Sequence, residues 1–133
     1  MKPKTVVGFS ILVLLAFMIL IGSTPAIAQE AKAFVGDWAG AVSLPEADIE
    51  IVCHFQLDAE GTLIGTIDSP SQEAYGLKLG NITVEGNKIS FGVDDPNVPG
   101  DPKLEGVLDE SGTKIKGDFS QGGAEGTFEL IKQ

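Results

Sequence analysis

Residues 49–72 read IEIVCHFQLDAEGTLIGTIDSPSQ and hold the fold in miniature. A strand leads into a tight Asp58-Ala59-Glu60-Gly61 turn, a second strand follows, and a polar Asp68-Ser69-Pro70-Ser71-Gln72 corner ends the unit. Along the first strand Ile49, Ile51, Cys53, Phe55 and Leu57 share one face, the period-two signature of a half-buried strand. Part of this unit returns further on. Leu57-Asp58-Ala59-Glu60-Gly61-Thr62-Leu63-Ile64 is matched by Leu108-Asp109-Glu110-Ser111-Gly112-Thr113-Lys114-Ile115, an L-D-x-x-G-T-x-I hairpin. Each copy runs on to a Gly and then a Gln: Gly65 and Gln72, then Gly117 and Gln121. The two copies disagree on register. A loop length that suits Ile115 turns Ile64 inward, whereas one residue less turns Leu63 inward, and the pattern leaves both open.

The remaining strands extend outward from that unit. Phe34, Gly36, Trp38, Gly40, Val42 and Leu44 alternate with smaller or polar residues in a first strand. Pro45-Glu46-Ala47-Asp48 turns the chain into the organising hairpin. After Pro70 the spacing predicts a looser connection through Tyr75 to Leu79. Two alternating runs then flank Gly86-Asn87, a hairpin signal because Gly supplies the positive φ of the turn. Residues 94–102 (DDPNVPGDP) form a loop with three prolines. Three further strands place Leu104, Gly106 and Leu108, then Ile115, Gly117 and Phe119, then Phe128 and Leu130 on an inner face, with a turn at Gln121-Gly122-Gly123. About eight consecutive short strands predict an all-β, antiparallel eight-stranded meander, closed as a lipocalin-like barrel or folded as a β-sandwich. Closure is favoured because it leaves no unpaired edge.

The N-terminus bounds the cellular setting. Lys2 and Lys4 precede an apolar run from about Val6 to Ile21, and Ala26-Ile27-Ala28 supplies a small-residue cleavage site. The pattern is a signal peptide over residues 1–28, with a membrane anchor as the alternative. No Cys follows the run, which excludes a lipoprotein anchor. Cleavage leaves one domain over residues 29–133 with no stable membrane anchor, exported to the periplasm or the exterior. The mature chain carries seven Lys and no Arg against nineteen Asp and Glu, a charge of −12. Such a surface repels phosphate backbones, so nucleic acid is excluded as a partner. Cys53, the lone cysteine, falls on the apolar face and reads as a small buried hydrophobe.

Catalytic readings find little support. His54 is the only histidine, and strand geometry sends it to the face opposite Cys53, so a Cys–His pair cannot form. Ser69 with His54 and Asp68 is a conceivable triad, but no nucleophile elbow accompanies it, and a polar corner with Asp68 and Ser69 capping backbone donors is the plainer account. Residues 94–101 are rich in oxygen ligands yet miss the spacing of a Ca²⁺ loop. The sequence thus predicts no catalytic residue, metal or cofactor. For ligand contact it offers Trp38 on the first strand and Gln72 and Gln121, which follow the repeated hairpins and could line a barrel mouth.

Gly36-Asp37-Trp38 resembles the G-x-W opening strand of lipocalins, avidins and fatty-acid-binding proteins. It departs from the first in having no Arg to pack on the Trp, and from the last in lacking a helical pair after the first strand. More broadly, Gly36-x-Trp38-x-Gly40, residues 51–55, residues 61–72 and residues 115–123 resemble a small β-domain of exported bacterial proteins, found alone or preceding α/β-hydrolase or other serine-hydrolase domains. That resemblance implies a non-catalytic accessory or binding barrel. Its expected partner is an exported hydrolase or another protein, with carriage of a small apolar ligand as the alternative.

Overall fold

In a computed structural model residues 30–133 are described, and the signal-peptide reading of residues 1–28 lies outside them. Eight strands run in chain order: β1 Gly36–Ser43, β2 Asp48–Leu57, β3 Leu63–Ser69, β4 Ala74–Glu85, β5 Lys88–Val93, β6 Lys103–Leu108, β7 Lys114–Gln121 and β8 Ala124–Lys132. Each pairs antiparallel with the next, and β1 pairs with β8, so the sheet is a closed barrel and not a sandwich. Closure satisfies both edges of the meander with backbone hydrogen bonds. Trp38 stands at the seam, opposite Cys53 of β2 and Lys132 of β8.

The turns are built as their residues require. Gly86-Asn87 joins β4 to β5 in two residues, with Glu85 paired to Lys88. Gly122 and Gly123, both at positive φ (55° and 89°), join β7 to β8 in the conformation of a type I′ turn. The register conflict of the repeated hairpins resolves through unequal loops. In the first copy Asp58 N–H donates to Thr62 O (2.9 Å), and in the second Asp109 N–H donates to Lys114 O (2.9 Å), one residue further along. Leu63 therefore faces inward opposite Leu57 while Ile64 is exposed, and Ile115 faces inward opposite Leu108. Sequence similarity and side-chain direction part company by one residue.

The connection after Pro70 is tighter than expected. Pro70–Gln72 forms one 3₁₀ turn, and Glu73 in the left-handed region (φ 55°) donates its N–H to Pro70 O at 3.0 Å. Chain reversal is complete there, so β4 begins at Ala74 and runs twelve residues. Its first part pairs with β3 and its later part with β5, with an irregularity between Gly80 and Thr83. Of the expected polar corner, Asp68 caps a backbone donor and Ser69 does not. Asp68 Oδ1 accepts Gly76 N–H (2.7 Å), but Ser69 Oγ donates to Gln72 Oε1 (3.0 Å) and caps no backbone group.

The barrel is filled unequally along its axis. A helical turn precedes β1, where the sequence suggests only strand, and puts Ala31 and Phe34 under one end. Trp38 Nε1 donates to Phe34 O (2.9 Å), which locks the indole against this floor, and Lys132 Nζ lies 5.7 Å from the ring centroid. Phe55 and Phe91 meet edge to face at 5.4 Å. Cys53 is fully buried, as read from its face. Desolvation, with a contribution from the Asp68 charge, pushes its thiol up to about 12 and keeps it un-ionised. Main-chain bonds from Leu108 N–H to Asn87 O and Lys132 N–H to Thr113 O stitch the turns of this closed end together.

On the outer wall β1, β2 and β3 are clasped by His54. Its Nδ1 lies 2.7 Å from Asp37 Oδ1, directly across in the register, and its Nε2 2.9 Å from Asp68 Oδ2 on the other side. Only an imidazolium donates from both nitrogens. The hydrogen bonds to Asp37 and then Asp68 accordingly raise the His54 pKa above 6.5. Asp68 is lowered, first by the Gly76 N–H and then by His54.

Two expectations follow from this architecture. Gly117 has no room for a side chain: a Cβ there would lie 1.8 Å from Glu105 O and 2.5 Å from Gly106 Cα. Gly117→Ala should lower unfolding stability by about 3 kcal/mol in urea titration, and an unchanged midpoint would contradict the close strand approach. The His54 clasp should act in a pH window. With its folded pKa raised, His54 stabilises fully below 6.5 and less as pH rises through the folded value. With its folded pKa lowered, Asp68 stabilises above its ordinary value and less as pH falls through the folded value. His54→Ala should flatten the alkaline decline in a series of denaturation curves, and a decline of the same size in the variant would refute the clasp.

Candidate functional site

The end of the barrel opposite Trp38 is not filled. A cavity of about 300 Å³ lies there, inside the wall. Val42, Ile51, Ile67, Leu77, Leu104 and Phe119 line it, mostly branched aliphatic side chains too small to meet across an eight-stranded barrel. Such a barrel has a bore that side chains can just close or that admits one small ligand. Here Phe34 and Trp38 fill the closed end, and the smaller side chains toward the mouth leave space between them.

Three of the connections at the mouth contribute to the lining of the cavity. Pro70–Gln72 brings Gln72 to the rim, and the end of β7 brings Gln121. Gln72 and Gln121, far apart in sequence, therefore line one cavity, while Trp38 is at the closed end and is not among its lining residues. Residues 94–102 fold across the mouth and contribute Asn97, Val98, Pro99 and Pro102 to its lining. Gln121 Nε2 donates to Pro99 O (2.8 Å) and Gly122 N–H to Gly100 O (2.8 Å), pinning this cover to the β7–β8 turn. Two of the three acidic groups of the cover have partners elsewhere: Asp95 Oδ1 accepts Asn97 N–H at 2.8 Å, and Asp94 lies 4.0 Å from Lys78 Nζ.

Ser69 is the buried polar residue of the site, 6 % exposed, and its hydroxyl is held by Gln72. His54 faces the opposite side of the wall, so the Ser69, His54 and Asp68 arrangement that the residues allow on paper is not assembled. Among the described residues no lining side chain is ionisable. Chemically the site can enclose an apolar body and meet a polar group with an amide or a hydroxyl. Sequence reasoning missed the cover and the His54 clasp. The cover's signal was its three prolines, and the clasp follows from the β1–β2 register that the short turn at residues 44–47 imposes.

No protein-family model and no curated protein sequence matches the chain. Among solved structures it is similar to a redesigned β-barrel, at 18 % identity over 78 % of this chain and 95 % of that one, with a TM-score of 0.58. It is also similar to EF1p2_mFAP2b bound to DFHBI, at 20 % identity over 80 % and 99 % of the two chains, with a TM-score of 0.50. At these identities the likeness is one of fold alone: the chain is a closed antiparallel β-barrel.

Proposed function

We propose that this chain is an exported binding module that holds a small apolar ligand in the mouth of its barrel. The observation that carries this reading is the covered cavity of about 300 Å³, at the small end of the usual range for ligand sites. Apolar walls supply the affinity through burial, and a few neutral polar groups at the rim orient the guest. The neighbour EF1p2_mFAP2b supports the reading, since a barrel of similar fold is bound to DFHBI. Export rests on the N-terminal pattern of residues 1–28. A protein partner, such as the exported hydrolase that the family resemblance implies, is the second reading. It has a surface to use where β3 and β4 part beyond Thr66 and Lys78, an outer groove flanked by Ile64 and Ile82.

Native mass spectrometry of residues 29–133 from the original host tests both. A small excess mass lost on denaturation is expected, and Leu77→Trp, which fills the cavity, should abolish it while the thermal transition persists. An apo mass throughout would count against carriage, and a protein-sized excess mass would favour the partner reading. The cover offers a second check. Gly100 has φ 80°, and a Cβ there would lie 2.8 Å from Gly122 N. Gly100→Ala should lift residues 94–102, speeding their amide exchange and raising ligand release about fivefold, the loss of one hydrogen bond of about 1 kcal/mol. Unaltered exchange would show that the cover is held by something else.

A further inference from the structure

The polar groups around the cavity specify more than an apolar guest. We infer that the ligand is a neutral amphiphile whose single polar end both donates and accepts a hydrogen bond, an alcohol or a primary amide, and that carboxylates are rejected. This rests on the reading of the mouth cavity as the ligand site. Ser69 Oγ donates to Gln72 Oε1, which leaves the Gln72 NH₂ to donate and Ser69 Oγ to accept. Gln121 spends its Nε2 on Pro99 O and leaves its Oε1 to accept. The rim therefore presents donor and acceptor together, on residues that come from two different turns.

Charge argues in the same direction. The lining holds no Lys, so a carboxylate entering the cavity would lose its water without gaining a counter-ion, and burial of an unpaired charge is far costlier than burial of a hydroxyl that finds partners. The approach is also negative. The four segments around the mouth, residues 44–48, 70–74, 94–102 and 121–125, carry seven carboxylates and no lysine. That field lowers the local concentration of anions before they reach the rim. A cation would be drawn to the mouth but finds no carboxylate within the lining. The volume, roughly ten waters' worth, suits a guest of about ten heavy atoms.

The test is a matched series on the mature chain, with n-octanol, n-octane, octanoate and octylammonium measured by titration calorimetry at neutral pH. Octanol should bind best, with octanoate at least about tenfold weaker, equivalent to about 1.4 kcal/mol. Octylammonium and octane should fall below octanol as well. Gln72→Leu should remove most of the preference of octanol over octane while leaving octane bound as before. Octanoate or octylammonium binding as tightly as octanol would overturn the neutral-ligand inference with carriage intact. A Gln72→Leu protein that keeps the octanol preference would overturn the assigned polar end. Failure of all four probes to bind would instead remove the carriage reading itself.

Discussion

The structure depends on backbone pairing between β1 and β8. Six residue pairs from Trp38–Lys132 to Ser43–Thr127 close the meander on itself, and each residue of this span of β1 is also paired to β2. Once the sheet is closed, every inward position converges on one axis, and neighbouring strands must coil tightly to make the circuit. Gly40 marks the tightness at the seam: a Cβ there would lie 1.8 Å from Glu129 O. Trp38 occupies the same seam and turns closure into a core, because its ring is wholly buried and its single donor is satisfied by Phe34 O.

From that anchor the interior divides into two halves with different consequences. Phe34 and Trp38 stack their volume toward the floor, where the preceding helical turn and the stitched loops seal the end. Above them the side chains are smaller, and the same bore that was filled below is hollow. A stable floor leaves the mouth free of structural duty. The cover over residues 94–102 is then held by two hydrogen bonds to the β7–β8 turn and by Asp94 N–H donating to Lys78 O of β4 at 2.7 Å.

The outer wall carries its ionisable chemistry apart from this interior. His54 binds Asp37 and Asp68 across three strands, while Cys53, its neighbour in sequence, is sealed inside with an un-ionised thiol. Adjacent residues on a strand are thus assigned opposite environments by the pleat alone. Ser69 shares the inner side, so its hydroxyl serves the rim of the cavity and has no access to the imidazole.

Much of this was legible in the chain itself. Alternation assigned Trp38, Cys53, Phe55, Ile115 and Leu130 to the interior, and Gly-Asn and Gly-Gly placed turns, because pleat and turn conformation are local properties that a residue and its neighbours dictate. Gln72 and Gln121 could be named as rim candidates from the repeat, but not brought to one cavity. Tertiary structure decided what depends on register and closure. It set Leu63 inward against the repeat's analogy, because the first hairpin loop closes one residue earlier than the second. It ran β4 on from the Pro70 corner, since the early part of that strand finds its partner in β3 and the later part in β5. It placed Trp38 at the far end from the cavity, gathered two glutamines, a serine and a proline-rich loop at the mouth, and left space among them. A void is the difference between the bore that closure creates and the side-chain volume that fills it, and no local stretch of sequence contains either quantity.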